Sequence, residues 1–432
     1  MKKYEKYKDS GIEWIGEIPE HWEVKRLASF GKFSKGGGVS KSELTSDGLP
    51  VILYGDIYTK YDTSVKNVHN KIPVETAEKA RQIKKNAILF TGSGETIEDI
   101  GKCVVYLNDE KAYAGGDVII LEQQGNNSMF LSYVLNTPGV KYEKAKYGKG
   151  EIVVHIYSSQ LREIKIPIPP PPEQTAIATY LDRKTAEIDQ LIDAKKRLIE
   201  LYHEEKTAII NHAVTKGINP NAKMKDSGVE WVGVINENWN ITSLKRLVST
   251  KITDGPHETP AFQSEGVPFV SVDAVKEGKI DFSSARGYIS KELDAIYSLK
   301  CKPRLNDLFI VKSGSTTGKI AIVDTDVDFN IWSPLALVRS NDLVLPYFLF
   351  YAFQSDYFQN SIRLFWSFGT QPNIGMNVIE NLKVAFPHID EQQSIVHHIE
   401  TECSRIDTKI ERTQRLIELL AEYRTALISE VV

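Results

Sequence analysis

Apolar residues recur with a helical period along two long stretches of this 432-residue chain. Beyond the proline run Pro169–Pro172 they fall at Ile177, Leu181, Ile188, Leu191, Leu198, Tyr202 and Ile209. The steps are three, four or seven, which is the coiled-coil period. Lys184, Lys195 and Glu205 occupy skipped slots. A second series holds Ile395, Ile399, Ile406, Leu416, Leu420, Tyr423 and Leu427. The first pattern predicts a helix from about Glu173 to about Val214, roughly 60 Å long at ~1.5 Å per residue. The second predicts a helix from about Glu391 to Val432, with Asp390 and Gln393 reading as a capping box at its start. A long helix with one apolar stripe needs a partner. Each of these is the other's obvious partner; packing of each on its own globular domain is the alternative.

Elsewhere the pattern changes to short β-branched runs between glycines and polar turns. PVILYGDIY, NAILFTG, KCVVYL and DVIIL do this in the first half, and VPFVSV, DLFIV and KIAIV in the second. Met129–Asn136 and Leu345–Ser355 read as short helices. The fold class is therefore α+β, with two globular domains each followed by a long helix. The boundaries fall at 1–172, 173–223 with a connector, 224–390 and 391–432.

The two halves repeat. Tyr7–Trp22, YKDSGIEWIGEIPEHW, returns as MKDSGVEWVGVINENW at Met224–Trp239. Trp14 matches Trp231, Trp22 matches Trp239, and Lys25-Arg26-Leu27 matches Lys245-Arg246-Leu247. Ile164–Asp182 pairs with Leu382–Glu400, and Arg197–Leu201 with Arg415–Leu419. Between these ends the halves diverge. Only Gly92-Ser93-Gly94 near Lys102, and Ser313-Gly314-Ser315 near Lys319, echo each other. A shared beginning and end imply one job done twice, and divergent middles imply related jobs on different targets.

Composition narrows the chemistry. The net charge is −4, so any nucleic-acid contact must come from local basic patches. No run of eighteen apolar residues exists, and the charged N-terminal stretch is not followed by an apolar one, so neither a membrane span nor a secretory signal is expected. Cys103, Cys301 and Cys403 are scattered without metal-site spacing and read as reduced thiols of a cytoplasmic protein. Neither a methyltransferase tetrad with its glycine loop nor a P-loop is present. GSGET lacks the P-loop lysine, and in KSGSTTGK Gly314 and Gly318 stand too close while Ile320 follows Lys319. The chain carries no catalytic, metal or cofactor signature.

The polar glycine loops that follow strands remain. Turn chemistry accounts for such loops in general; the functional reading is a backbone and hydroxyl surface that meets DNA phosphate. On that reading the candidates in the first half are Thr91, Ser93, Lys102, Lys146, Lys149 and His155, Lys146 and Lys149 belonging to a basic run with Lys141 and Lys144. In the second half they are His257, Thr259, Lys312, Ser313, Ser315, Thr316, Lys319, Gln371 and Asn373. His, Thr, Asn and Gln side chains can address base edges. Trp14 and Trp231 read as packing anchors.

Taken together, these segments resemble the DNA-specificity subunit of type I restriction-modification systems over essentially the whole length. The carriers are DSGIEWIGEIPEHWEVKRL, IPIPPPPEQTAIATYLD, the helix ending KTAIINHAVTKGI and their second copies, with DGPHETP, SGSTTGKIA and GTQPNIG in the second half. The resemblance implies two target-recognition domains and two conserved helices that pair as an antiparallel coiled coil. It implies that each domain reads one half of a split site in double-stranded DNA. It implies two methyltransferase (modification) subunits as partners, and two restriction subunits that can join them. S-adenosylmethionine would belong to the modification subunits and ATP with Mg to the restriction subunits, leaving this chain non-catalytic. The two termini are then expected to lie close together. A self-contained DNA-modifying enzyme and a coiled-coil scaffold with no DNA role are the competing readings.

Overall fold

The computed structural model describes residues 4–150, 152–368 and 372–432. The chain forms two compact units: one runs to Lys195 and includes Arg415–Val432, the other is Lys196–Gln414.

In the first unit a five-stranded sheet has the order Gly31–Lys35, Val118–Gln123, Ile88–Thr91, Cys103–Tyr106, Ser64–Val65. Only its last pair is parallel. Alternation along these strands sends Ile88, Phe90, Cys103, Val105, Ile119 and Leu121 into a core shared with Ile177, Leu181, Ile188 and Leu427. Leu89, Val104, Tyr106, Val118 and Ile120 enter a second core on the opposite face. Burial on both faces is why the strands read as almost continuous apolar runs. A smaller sheet orders Asn70–Ile72, Leu49–Ile52, Ala112–Ala114 and Arg81–Ile83, with its central pair parallel.

The second unit repeats this plan. Its main sheet orders Thr253–Asp254, Leu335–Val338, Leu308–Val311 and Ile320–Ile322. Leu308, Ile310, Ile320, Ala336 and Val338 share a core with Ala213, Val214, Ile395 and Ile399. Phe309, Val311, Ala321, Leu335 and Leu337 fill the opposite one. The smaller sheet, Gly287–Ile289, Val267–Val270 and Asn330–Ile331, again contains a parallel pair. Halves that diverge in sequence thus share the order of their central strands, with one more strand in each sheet of the first unit among the described residues. The short helices form at Ser128–Leu135 and Pro346–Gln354. One run departs from its reading as a strand. In PVILYGDIY the strand stops at Ile52, and Tyr54–Thr59 is helical because the Asp56 carboxylate accepts the Leu53 N–H at 2.9 Å.

The repeated segments explain themselves structurally. Tyr7–Asp9 pairs with Glu17–Pro19, and Met224–Asp226 with Val234–Asn236. Both hairpins turn through glycines at positive φ, Gly11 and Gly16 in one and Gly228 and Gly233 in the other, a geometry that favours glycine. The next strand, Glu23–Arg26, pairs with Lys165–Ile168, and Asn240–Ser243 pairs with Lys383–Phe386. The beginning and end of each half are therefore neighbours. Trp22 Nε1 donates to Glu173 Oε1 at 3.2 Å, and Trp239 Nε1 to Glu391 Oε1 at 3.1 Å, fastening the joint to the first turn of a long helix. Gln174 and Gln392 repeat a second fastening. Their amides donate to Pro169 O and Pro387 O, and their carbonyls accept the N–H groups of Asn127 and Leu345. Tyr4 and Val432 pack on the same core of the first unit.

The long helices are Pro171–Lys216 and Ile389–Val431. Pro171 and Pro172 form the opening turn of the first instead of preceding it, because first-turn residues need no N–H. The capping box expected of Asp390 and Gln393 does not form: the helix begins at Ile389, and the Asp390 carboxylate faces His388 Nδ1 at 3.2 Å. The helices run antiparallel. Arg424 Nε meets Asp189 at 2.9 Å in the first unit. In the second, Lys206 Nζ meets Asp407 at 2.6 Å and Lys409 lies over the Tyr202 ring. Ile177, Leu181, Ile188, Ile395, Ile399, Ile406 and Leu427 are buried, while Leu198, Tyr202, Ile209 and Leu420 are half-buried. Leu191 and Leu416 are exposed and are not part of the seam. Strict alternation of three- and four-residue steps instead selects Ile192, Lys195 and Ile199 on one helix and Ile410, Thr413 and Ile417 on the other. All six are buried or half-buried.

Candidate DNA-recognition face

In each unit the central strand of the main sheet runs into a polar loop that meets the segment leading to the last strand. Thr91 N–H donates to Lys102 O, and Val311 N–H to Lys319 O. Gly92 N–H donates to Asp117 O, and Lys312 N–H to Pro334 O. Ile156 N–H then donates to Gly92 O at 3.0 Å, and Ile374 N–H to Lys312 O at 2.8 Å. Ser93 is paired with His155, and Ser313 with Asn373. Residues singled out from the sequence in each half thus occupy the same place in the two folds.

In the first unit two candidates are not surface groups. Thr91 is fully buried, its hydroxyl 2.7 Å from Tyr58 Oη. Ser93 is also buried, its Oγ 2.9 Å from His155 Nδ1. Lys102 is half-buried and donates to Tyr61 O at 2.7 Å; burial lowers its pKa. The basic run divides. Lys144 is fully buried, donating to Gly101 O at 2.7 Å and Leu135 O at 2.9 Å. Burial pushes that ammonium down to about 8. Lys146 is exposed and paired with Glu143, and Lys149 is exposed.

In the second unit Asp254 is the hub. Its carboxylate takes Lys300 at 2.6 Å, Lys312 at 3.0 Å and His257 at 3.3 Å. Burial alone would raise its pKa, but hydrogen bonds from Lys300 and Lys312 outweigh that and hold it below the usual range. Lys312 is therefore a structural partner of Asp254 and not a free cation. Ser315, Lys319, Thr259 and His257 are exposed, and Ser313 is half-buried. Thr316 Oγ1 is buried without a partner among the described residues. Gln371 lies outside the described residues. Trp14 packs on the first core and Trp231 on the second, the latter edge-on to Phe365.

A recess of about 800 Å³ lies beside Asp254, and no sequence motif announces it. Lys251, Lys300, Lys302, Arg304 and Arg339 line it. Lys302 is held by Asp294 and Asp328, and Arg339 by Asp307. Lys251 and Arg304 have no side-chain partner among the described residues, and Arg304 is exposed. The only local signal is SLKCKPR; the other cations come from distant segments. Through Asp254 this basic recess adjoins Lys312 and the polar loop, which suits a polyanion. No helix among the described residues is long and apolar enough to cross a membrane.

Residues 19–201 and 236–420 match the type I restriction modification DNA specificity domain. The chain belongs to that family. Members are non-catalytic specificity subunits of type I restriction-modification systems. The type I restriction enzyme MjaVIII specificity subunit of Methanocaldococcus jannaschii is 25% identical over 92% of this chain and 90% of its own length. The EcoKI specificity subunit of Escherichia coli K12 is 22% identical over 91% and 84%. The fold resembles that of the HsdS subunit from Thermoanaerobacter tengcongensis, with a TM-score of 0.57 at 15% identity over 96% of this chain and 97% of that one. A chain from a structure describing assembly and conformational transition of the type I system gives 0.72 at 14% identity, over 96% and 98%. The two matched segments are the two halves of the repeat, so the specificity chain carries two recognition domains.

Proposed function

We propose that each recognition domain reads one half of a bipartite site in double-stranded DNA and that the paired helices set the gap between the halves. The observation that carries this reading is the duplication of one topology with the polar loop at the same place in each copy. A repeated fold with divergent loops suits two different short sequences. The two fastened joints, Trp22–Glu173 and Trp239–Glu391, offer the same surface twice, which suits two identical methyltransferase subunits. S-adenosylmethionine then binds those subunits, and ATP with Mg serves restriction subunits where they join; the assembly acts in the cytoplasm. The basic recess around Lys251 and Arg304 meets phosphate in the second half-site.

The test is binding by the chain co-purified with a methyltransferase subunit. Duplexes carry both half-sites at varied gaps, at two salt concentrations. Selective binding that weakens with salt and collapses when the gap changes by two base pairs is expected. Binding indifferent to the gap contradicts the reading.

A further inference from the structure

His155 and Asn373 hold the same backbone position in the two domains. Each opposes the serine one residue past the position that accepts the Ile156 or Ile374 N–H, and each precedes one of these buried isoleucines. The backbone pattern and the core behind it are kept while the side chain at this position differs. That is the arrangement expected where one architecture addresses two different sequences. The chemistry fits base edges. The imidazole of His155 is oriented by Ser93 through Nδ1 at 2.9 Å, and Nε2 has no hydrogen-bond partner among the described residues. Asn373 is exposed, and a carboxamide is the group that adenine N7 and N6 complement. The surroundings are those of a contact face. Ile152 is 90% exposed and Lys149 is exposed, both shortly before His155 in the chain, and Lys319 and Ser315 are exposed on the loop facing Asn373.

We propose that His155 and Asn373 are specificity-determining side chains, each reading one base pair of its own half-site. Ser93 acts as a positioning residue for His155. The inference rests on the bipartite reading above. The complex of this chain with its methyltransferase subunit is incubated with a randomised DNA library, and modified sequences are counted. His155→Ala should relax discrimination at one base pair of one half-site by about tenfold or more, with the other half-site unchanged. Asn373→Ala should do the converse, and Ser93→Ala should give a weaker form of the His155 effect. If His155→Ala is misfolded by circular dichroism, His155→Gln decides: a changed base preference supports the proposal. Unchanged base preferences, or a uniform fall in modification at every site, overturn it. A wild-type complex that yields no split motif overturns the bipartite reading itself, and that failure is distinct from a motif that the variants leave intact.

Discussion

Replacing Trp239 by Phe should destabilise the protein more than replacing Trp22 by Phe, although the two residues are matched in the repeat. Both indoles are buried and both donate to a glutamate in the first turn of a long helix. Their acceptors differ. Glu173 also receives the Tyr4 hydroxyl and His21 Nε2. Burial raises the Glu173 pKa, but these three hydrogen bonds outweigh it and keep the carboxyl ionised. Among the described residues, Trp239 is the single side-chain donor to Glu391. A hydrogen bond to a charged group contributes about 1.5–3 kcal/mol. Losing about 40 Å³ of indole at ~24 cal/mol per Å³ of cavity costs about 1 kcal/mol. Trp239→Phe loses both contributions and leaves a half-buried carboxylate without a donor, for about 3–4 kcal/mol. Trp22→Phe leaves two donors in place, so its cost stays near 1–2 kcal/mol on the same scale. Thermal unfolding followed by circular dichroism, with hydrogen exchange to locate the weakened unit, measures both. At ~2–4 °C per kcal/mol, the two melting points should separate by several degrees. Equal losses, or a larger loss for Trp22→Phe, refute the argument that extra donors protect the first joint.

Other outcomes follow from the same geometry. Ile406→Ala, at a fully buried seam position, should cost about 2–5 kcal/mol, whereas Leu416→Ala, at an exposed position off the seam, should cost less than about 1 kcal/mol; thermal melts compare them directly. Asp254→Asn should cost on the order of 3 kcal/mol at neutral pH, because Lys300 and Lys312 lose their carboxylate. Since the folded-state pKa of Asp254 is depressed, its contribution is present above the ordinary value of ~3.9 and lost as pH falls through the lower folded value. Stability of Asp254→Asn should therefore fall less steeply on acidification than that of the wild type. Adding one heptad to each long helix preserves the seam and lengthens it by about 10 Å. The gap in the modified site should grow by about three base pairs with both half-sites unchanged; an altered half-site contradicts the helices' role as a ruler.

Much of the architecture was legible because burial is two-sided. Strands such as Ile88–Thr91 and Leu308–Val311 are apolar at every position but the last of the former, and the helical stripes survive over many turns. At the helix seam, spacing outranks residue type. Leu191 and Leu416 are leucines one step off the seam, while Lys195 and Thr413 hold true seam positions with polar side chains. Lys144 looked like part of a basic run, yet it lies four residues after buried Val140 on one helix, so the helix turns it inward. The loop pairing of Ser93 with His155 joins residues 62 positions apart, and the basic recess draws on equally distant segments. No local pattern encodes either; both are products of the sheet order.

The most direct test of the central claim is a map of modified bases across the genome of a strain carrying this gene, compared with the same strain after deletion. The account predicts a split motif, two short defined sequences around a fixed gap, present with the gene and absent without it. An unsplit motif that depends on the gene, or a split motif that survives its loss, would contradict the assignment of one half-site to each domain.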